Sequence, residues 1–97
     1  MRLLGCRSLT TASRGEPIGP RTSLEKLFGS ELSQRVRALA AEVLGAQLLL
    51  DAEDPRAEWD GRWIRSYLGS RADTIMGGTS EIQRGVIARQ ILGLPRA

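Results

Sequence analysis

The sequence predicts an all-α fold, a small helical bundle, from three observations. Apolar residues recur every three or four positions from Leu24 to Val43, which is the period of one helix face. Aromatic residues then follow at intervals of four, at Trp59, Trp63 and Tyr67. A third apolar segment near the C-terminus has turn residues on both sides, and no segment alternates polar and apolar residues as a half-buried strand does. The periods are therefore helical throughout.

We expect residues 1–22 to form a short helix and a Gly/Pro connector, because four Gly and Pro residues stand between Arg14 and Thr22. The arginines and hydroxyl residues ahead of Glu16 would also suit a mitochondrial transit peptide. Leucines beside those arginines favour instead the end of a bundle helix. Residues 23–97 are then expected to form part of a helical bundle.

The second helix should begin at the end of the connector. Thr22, with Glu25 three positions later, fits a capping box, and Gly45 is a typical helix stop. Six apolar residues between these signals share one helix face. We expect this face to be buried: Leu24, Phe28, Leu32, Val36, Leu39 and Val43.

Residues 51–60 combine five acidic side chains with a proline, which predicts a polar loop. The aromatic residues after it fit a short helix that ends near Gly69. Aromatic side chains at this spacing usually pack in a core, and we prefer that interpretation to a stacking platform for bases or a flavin.

The last helix is predicted from about Ser80 to Leu92. Ser80 and Gln83 have the spacing of a second capping box, and Gly93 followed by Pro95 ends the helical pattern.

Length and composition exclude several classes of site. A chain of 97 residues allows one domain with a modest core. With a single cysteine, Cys6, and no histidine, the chain cannot form an internal disulfide and lacks the usual zinc ligands. No apolar run approaches the roughly 20 residues of a transmembrane helix, and we expect a cytoplasmic location.

The charges are 14 basic against 11 acidic residues, a net of +3, and Lys26 is the only lysine. Acidic residues are interleaved with the arginines, and no block of like charge marks a nucleic-acid tail. We therefore expect most of the arginines to be solvated and expect no nucleic-acid partner. A small basic nucleic-acid binder stays as a third hypothesis that rests on the arginines alone.

Two glycines, Gly77 and Gly78, lead directly into Thr79, Ser80 and the predicted last helix. The first backbone N–H groups of a helix lack internal partners and lie at the positive end of its dipole. Glycines ahead of them would let a phosphate come close. An ordinary helix start explains the same residues, and on turn chemistry alone it is the better explanation.

The same junction resembles the C-terminal signature of the acyl-CoA dehydrogenases, flavoproteins that oxidise acyl-CoA thioesters to enoyl-CoA. The resemblance is carried by residues 78–84, 87–89 and 92–96 in register, and it extends more loosely back to about Gly15. Members of this family are several times longer and combine an N-terminal helical domain, a β-domain and a C-terminal helical bundle. The resemblance therefore implies that this chain supplies only a C-terminal fragment.

By this resemblance, Thr79, Ser80 and Glu81 match positions that contact FAD, and Gly78 matches a glycine next to the acyl-CoA substrate. A second and weaker match resembles the family's Gln-x-Leu-Gly-Gly segment, which contacts FAD from the neighbouring subunit. It consists of Glu42, Val43, Leu44, Gly45 and Ala46. Glu replaces the neutral amide and Ala the second glycine, and a plain helix C-terminus explains these residues nearly as well.

Many family members carry the catalytic Glu immediately before the Gly-Thr of the signature, and here that position is Gly77. A glycine cannot act as a base, and we favour a structural role for Glu81 in the first helical turn. No catalytic residue is therefore predicted. Some members place the base on an earlier helix, and some subunits of heteromeric complexes lack one. Both a fragment that is inactive alone and a non-catalytic partner subunit of a homo- or hetero-oligomer stay open.

Overall fold

The structure, a computed structural model, describes residues 2–95 of the chain, so that Arg96 of the family signature lies outside the described residues. These residues form helices joined by turns, with no strand among them. The predicted all-α fold is confirmed. The α-helices are α1 (Arg2–Ser13), α2 (Thr22–Leu44), α3 (Arg62–Asp73) and α4 (Ser80–Val86).

Short helical turns of other pitch connect or extend these helices. Three are 3₁₀ turns, at Gly19–Arg21, Gly45–Leu49 and Glu58–Gly61. A single π-helical turn, Ile87–Ile91, continues α4. The predicted last helix is therefore present, but its second half forms a π-helical turn instead of continuing as an α-helix.

The chain divides into two compact units, and the division falls within α2. Unit one contains the residues up to Gly29 together with those from Gly77 onward, and unit two is Ser30–Met76. In unit one, the Gly19–Arg21 turn contacts the π turn Ile87–Ile91. The Ser8 hydroxyl of α1 donates to the Glu25 carboxylate of α2.

The capping box predicted at the start of α2 is wrong. The Thr22 hydroxyl donates to the carbonyl oxygen of Gly19 at 3.2 Å, within the preceding 3₁₀ turn. Because Glu25 accepts from Ser8 instead, the two residues do not close the reciprocal pair that a capping box requires. The 3₁₀ turn, with Pro20 at its start, leads directly into α2.

In unit two, α2 and α3 contact each other through polar side chains, which we call the polar seam. The Gln34 side-chain amide donates to the Ser70 carbonyl at 3.0 Å and to the Thr74 hydroxyl at 2.9 Å. One helix turn on, Arg37 Nε donates to the Ser66 hydroxyl at 2.6 Å. Further contacts of the seam are Ser33 Oγ to Asp73 Oδ2 at 2.7 Å and Arg37 Nη1 to Asp73 Oδ2 at 3.7 Å.

The apolar face of α2 is exposed, whereas the sequence predicted that it would be buried. Its large side chains are exposed to solvent, by 41% at Leu32 rising to 78% at Val43. Leu48, at 9%, is the single large apolar side chain that is buried among the described residues. Periodicity identified correctly which residues share a face. The cause of the exposure is that α3 packs on the polar side of α2 instead. The prediction of burial is therefore wrong for five residues: Phe28, Leu32, Val36, Leu39 and Val43.

Ahead of α3 the chain makes a left-handed turn at Trp59, Asp60 and Gly61, with φ angles of 50°, 54° and 61°. A side chain at position 61 would lie 2.6 Å from the Asp51 Cα, so only glycine fits there. Arg65 braces the turn by donating to the Asp60 carbonyl at 2.5 Å and to Asp51 Oδ1 at 2.8 Å.

The turn presents Trp59 to solvent, where its side chain is 63% exposed and meets the edge of Trp63 at a ring distance of 6.1 Å. The expectation of core packing is therefore wrong for Trp59. The helix that follows continues to Asp73 rather than ending near Gly69.

Candidate functional site

The turn ahead of α4 is built on two glycines in the left-handed region. Gly77 has a φ of 67° and Gly78 a φ of 98°. A Cβ atom at Gly78 would lie 2.6 Å from Gln83 Nε2 and 3.7 Å from Ile82 Cγ2. Glycine at position 78 is thus required both by the backbone angle and by the side chain that packs against it.

Thr79, rather than Ser80, caps the helix. Its hydroxyl oxygen accepts from the Ile82 backbone N–H at 3.3 Å, and its carbonyl accepts from the Gln83 N–H at 2.9 Å. The Gln83 side-chain amide meanwhile donates to the Gly77 carbonyl at 3.0 Å. The predicted pairing of Ser80 with Gln83 is wrong, because the extended backbone of the cap belongs to the residue before Ser80.

Glu81 occupies the positive end of α4. Its pKa lies below the ordinary value, chiefly because its own backbone N–H donates to the carboxylate and then because the Thr79 hydroxyl does so. Arg84 adds a longer contact, with Nη1 3.7 Å from Glu81 Oε1. One backbone donor at the helix start, the Glu81 N–H, is therefore already used by a carboxylate of the same helix.

Ser80 is the one residue of this turn whose polar group lacks a partner. It is only 8% exposed, and its hydroxyl makes no hydrogen bond. Buried hydroxyl groups are usually paired, so the unpaired Ser80 hydroxyl is a candidate contact for a group from outside this chain. Neighbouring Thr79 is half-buried.

At Gly77, the position of the family's Glu, a Cβ atom would lie 3.6 Å from Lys26 Cε. The space beside the backbone is open enough for a side chain, but the φ of 67° is unfavourable for any residue with a Cβ. A carboxylate here would also stand beside an ammonium group, which lowers a carboxyl pKa. The backbone conformation at position 77 therefore favours glycine.

The second predicted segment ends α2. Gly45 adopts a φ of 52° and begins a 3₁₀ turn, and no atom lies within 4 Å of the place where its Cβ would be. Glu42, Val43 and Ala46 are exposed, whereas Leu44 is half-buried. This segment belongs to unit two and the Thr79 turn to unit one.

The sequence did not indicate two cavities that the structure contains. One, of about 460 Å³, lies in unit one between α1, the connector and the π turn, with Arg7, Arg21 and Gln90 in its wall. The other, of about 290 Å³, lies in unit two and is lined almost wholly by carbon: Val36, Leu39, Ala40, Val43, Leu44, Trp59 and Trp63. Neither includes Thr79 or Ser80.

Comparison with known proteins places the chain in a family. The model of the acyl-CoA dehydrogenase C-terminal domain matches residues 1–92. The chain belongs to the acyl-CoA dehydrogenase family. Acyl-CoA dehydrogenase IpdE1 of Mycolicibacterium smegmatis is 39% identical over 97% of the chain and 23% of its own length. Acyl-CoA dehydrogenase FadE26 of Mycobacterium tuberculosis is 35% identical over 100% of the chain and 25% of its own length.

A solved structure shares the fold. The chain superimposes on the ChsE4-ChsE5 complex from Mycobacterium tuberculosis with a TM-score of 0.83 and 36% identity, over 99% of this chain and 24% of that one. The chain thus spans about a quarter of the length of these proteins. Within residues 2–95, no helix combines the length and the apolar character needed to cross a membrane.

Proposed function

We propose that this chain is the C-terminal part of an FAD-dependent acyl-CoA dehydrogenase and contributes one wall of the flavin site at the turn ahead of α4. The observation that carries the proposal is the buried, unpaired hydroxyl of Ser80. It lies in the segment that resembles the family's FAD signature, two residues after Gly78. The family match over residues 1–92 supports it independently.

The side chains of the turn suit one part of FAD better than another. The pKa of the Glu81 carboxyl is lowered, and its carboxylate accepts from its own backbone N–H at the helix start. A pyrophosphate would be repelled there, whereas a hydroxyl group could donate to the carboxylate. Glu81, together with the Thr79 and Ser80 hydroxyls, therefore fits the sugar-alcohol portion of FAD. Gly78 would face the acyl-CoA.

When FAD is bound, its flavin ring accepts the hydride that leaves the β-carbon of an acyl-CoA thioester. The α-proton needs a base, and Gly77 offers none. This chain would thus position the cofactor through residues 79–81 and, from a neighbouring subunit, through residues 42–46. The base would come from another part of the enzyme, and the isolated chain would not dehydrogenate acyl-CoA.

The test is reconstitution. The chain is co-expressed with an acyl-CoA dehydrogenase relative that lacks its C-terminal quarter, and flavin absorbance is measured on the purified complex. We expect FAD to be retained only when both pieces are present, and the Ser80→Ala variant to bind FAD more weakly. The exposed Ser13→Ala variant is the control. Equal flavin content with and without this chain would refute the proposal.

A second candidate is a non-catalytic subunit that shares an FAD site with a larger partner. Gly77 at the position of the base motivates it, and the structural relative with TM-score 0.83 is itself a complex of two named components. A flavoprotein subunit with its own base that co-purifies in a fixed ratio would favour this candidate. In either case we place the assembly in the cytoplasm, as a homo- or hetero-oligomer with no nucleic-acid partner.

A further inference from the structure

The two consecutive glycines ahead of α4 need a contact that fixes the peptide group between them. Gly77 and Gly78 both have positive φ angles, of 67° and 98°. A glycine changes backbone conformation at little cost because it has no Cβ atom. With two of them in succession, the peptide group that joins them can rotate as a unit. A single orientation of this peptide therefore depends on another part of the chain.

The side chain of Gln83 provides that contact. Its amide donates to the Gly77 carbonyl oxygen at 3.0 Å, and its nitrogen lies 2.6 Å from the place where a Cβ atom of residue 78 would be. Gln83 is buried, whereas Gly77 is exposed and Gly78 is half-buried. A buried amide thus holds the glycine pair from inside the protein and leaves Gly77 open to solvent.

Fixing one atom of this peptide fixes the whole group. The peptide bond is planar, so the hydrogen bond on the Gly77 carbonyl oxygen also sets the direction of the Gly78 N–H. If the amide were lost, the peptide could turn about the line that joins the two Cα atoms. The exposed side of the turn would then present different polar groups to a ligand.

We propose that Gln83 is a positioning residue for the acyl-CoA thioester. Its amide holds the Gly77–Gly78 peptide in the orientation that binds this ligand, and the side chain does not touch the ligand itself. This role rests on the proposed function, which places Gly78 beside the acyl-CoA. Binding of the thioester, unlike binding of FAD, then depends on the Gln83 side chain.

The FAD contacts of the same turn do not depend on this side chain. The Thr79 hydroxyl accepts from the Ile82 N–H, and the Thr79 carbonyl accepts from the backbone N–H of Gln83. A glutamate or a methionine at position 83 keeps that backbone donor. The flavin contacts at residues 79–81 should therefore persist when the side chain changes, so the two ligands give separate readouts.

The test uses the FAD complex reconstituted from this chain and the truncated relative, with octanoyl-CoA as the probe. The Gln83→Glu variant keeps the shape of the side chain, but its carboxylate accepts hydrogen bonds and cannot donate to the Gly77 carbonyl. The flavin absorbance of the purified complex measures its FAD content, and the change in that absorbance on titration with octanoyl-CoA gives the dissociation constant. Gln47→Glu, the same chemical change at an exposed position, is the matched control.

The expected effect follows from the populations of the two peptide orientations. The hydrogen bond favours one orientation by a factor of about two to ten. A carboxylate that faces the same carbonyl oxygen favours the other orientation by a comparable factor. Because apparent affinity is proportional to the competent fraction, the dissociation constant of Gln83→Glu for octanoyl-CoA should rise about two- to tenfold. FAD content should stay unchanged, and Gln47→Glu should alter neither quantity.

Acid should rescue the Gln83→Glu variant, which a purely structural role of the side chain would not predict. A protonated carboxyl group donates a hydrogen bond as the amide does. Because burial raises the pKa of a carboxyl group, the ratio of the variant's dissociation constant to that of the natural complex should fall from about pH 8 to about pH 5. The charged groups near this turn are the same in both complexes: Lys26, Glu81 and Arg84.

A second variant separates the hydrogen bond from the packing. Gln83→Met fills the space beside Gly78 but has neither an N–H donor nor a charge. It should weaken octanoyl-CoA binding at every pH and show no rescue by acid. Acid rescue of Gln83→Met would contradict the assignment of the effect to a donated hydrogen bond.

The outcomes distinguish this role from the proposed function. A natural complex without FAD refutes the proposed function. If Gln83→Glu retains FAD and binds octanoyl-CoA as tightly as the natural complex at every pH, only the role of Gln83 is refuted. Parallel loss of both ligands shows that the side chain supports the whole turn, which also overturns the role. A natural complex that holds FAD but does not bind octanoyl-CoA contradicts the position of Gly78 beside the thioester.

Discussion

The side-chain amide of Gln83 donates to the carbonyl oxygen of Gly77 at 3.0 Å and ties α4 back onto the turn that precedes it. Gln83 is buried, and its nitrogen occupies space that a Cβ atom at Gly78 would enter. The amide and the two glycines therefore depend on one another. Together they set the backbone path that leads to the Thr79 cap.

Replacing Gln83 with alanine should open this turn. The Gly77 carbonyl would lose its donor, and a partly buried hydrogen bond of this kind contributes about 0.5–1.5 kcal/mol to stability. Urea unfolding followed by circular dichroism measures the loss. Gln47→Ala, at an exposed position in the 3₁₀ turn after α2, should leave the midpoint unchanged. Equal effects of the two variants would mean that the Gln83 amide does not stabilise the turn.

Two glycine-to-alanine changes should shift stability in opposite directions. Gly77 has a φ of 67°, where a residue with a Cβ is strained by about 1–2 kcal/mol, so Gly77→Ala should lower the melting temperature. Gly69 lies within α3 with no atom near its Cβ position, so Gly69→Ala should raise stability by up to about 1 kcal/mol. Shifts of the same sign would contradict the backbone argument.

The carboxylate of Glu81 should make the start of α4 sensitive to acid. Hydrogen bonds from its own N–H and from Thr79 hold its pKa below 4.5 in the folded chain. A depressed folded pKa contributes stability that is fully present above the unfolded value of about 4.5 and is lost as pH falls through the lower folded value.

Nuclear magnetic resonance of the Glu81 side-chain carbonyl carbon measures this pKa directly. The titration midpoint should lie below 4.5 and should move upward in the Thr79→Val variant, which lacks the donating hydroxyl. Glu81→Gln should remove the corresponding pH dependence of unfolding. A midpoint at the ordinary glutamate value would show that the carboxylate does not cap the helix.

The helices were predictable because their signals are local. The period of apolar residues identified α2, and Gly45 marked its end to within one residue. The cap of α4 was misplaced by one position because Thr79 and Ser80 both carry a hydroxyl. Which of them caps depends on backbone angles, and the extended φ and ψ of −65° and 163° belong to Thr79. Gly69 did not end α3, since a helix tolerates one glycine at a modest cost.

Burial was not predictable, because a period shows which residues share a face and not what lies against it. Leu39 and Val43 are exposed in a chain that spans about a quarter of its relatives. The contacts that hold α2 to α3 come from residues some 30 to 40 positions apart, such as Gln34 and Thr74. The free hydroxyl of Ser80 is equally a property of the folded chain, since sequence alone cannot reveal that a donor lacks a partner.

The polar seam should stabilise unit two, and Gln34 is the place to test this. Its amide nitrogen donates to both the Ser70 carbonyl and the Thr74 hydroxyl, so Gln34→Ala removes two hydrogen bonds between α2 and α3. Each contributes about 0.5–1.5 kcal/mol, which predicts a combined loss of about 1–3 kcal/mol.

The loss should appear as weaker protection of α3 amides in hydrogen exchange, because the Gln34 amide helps to hold α3 against α2. Arg62→Ala, an exposed change in α3 itself, is the control and should leave the exchange rates as they are. If Gln34→Ala also leaves them unchanged, the two hydrogen bonds of Gln34 do not hold α3 against α2.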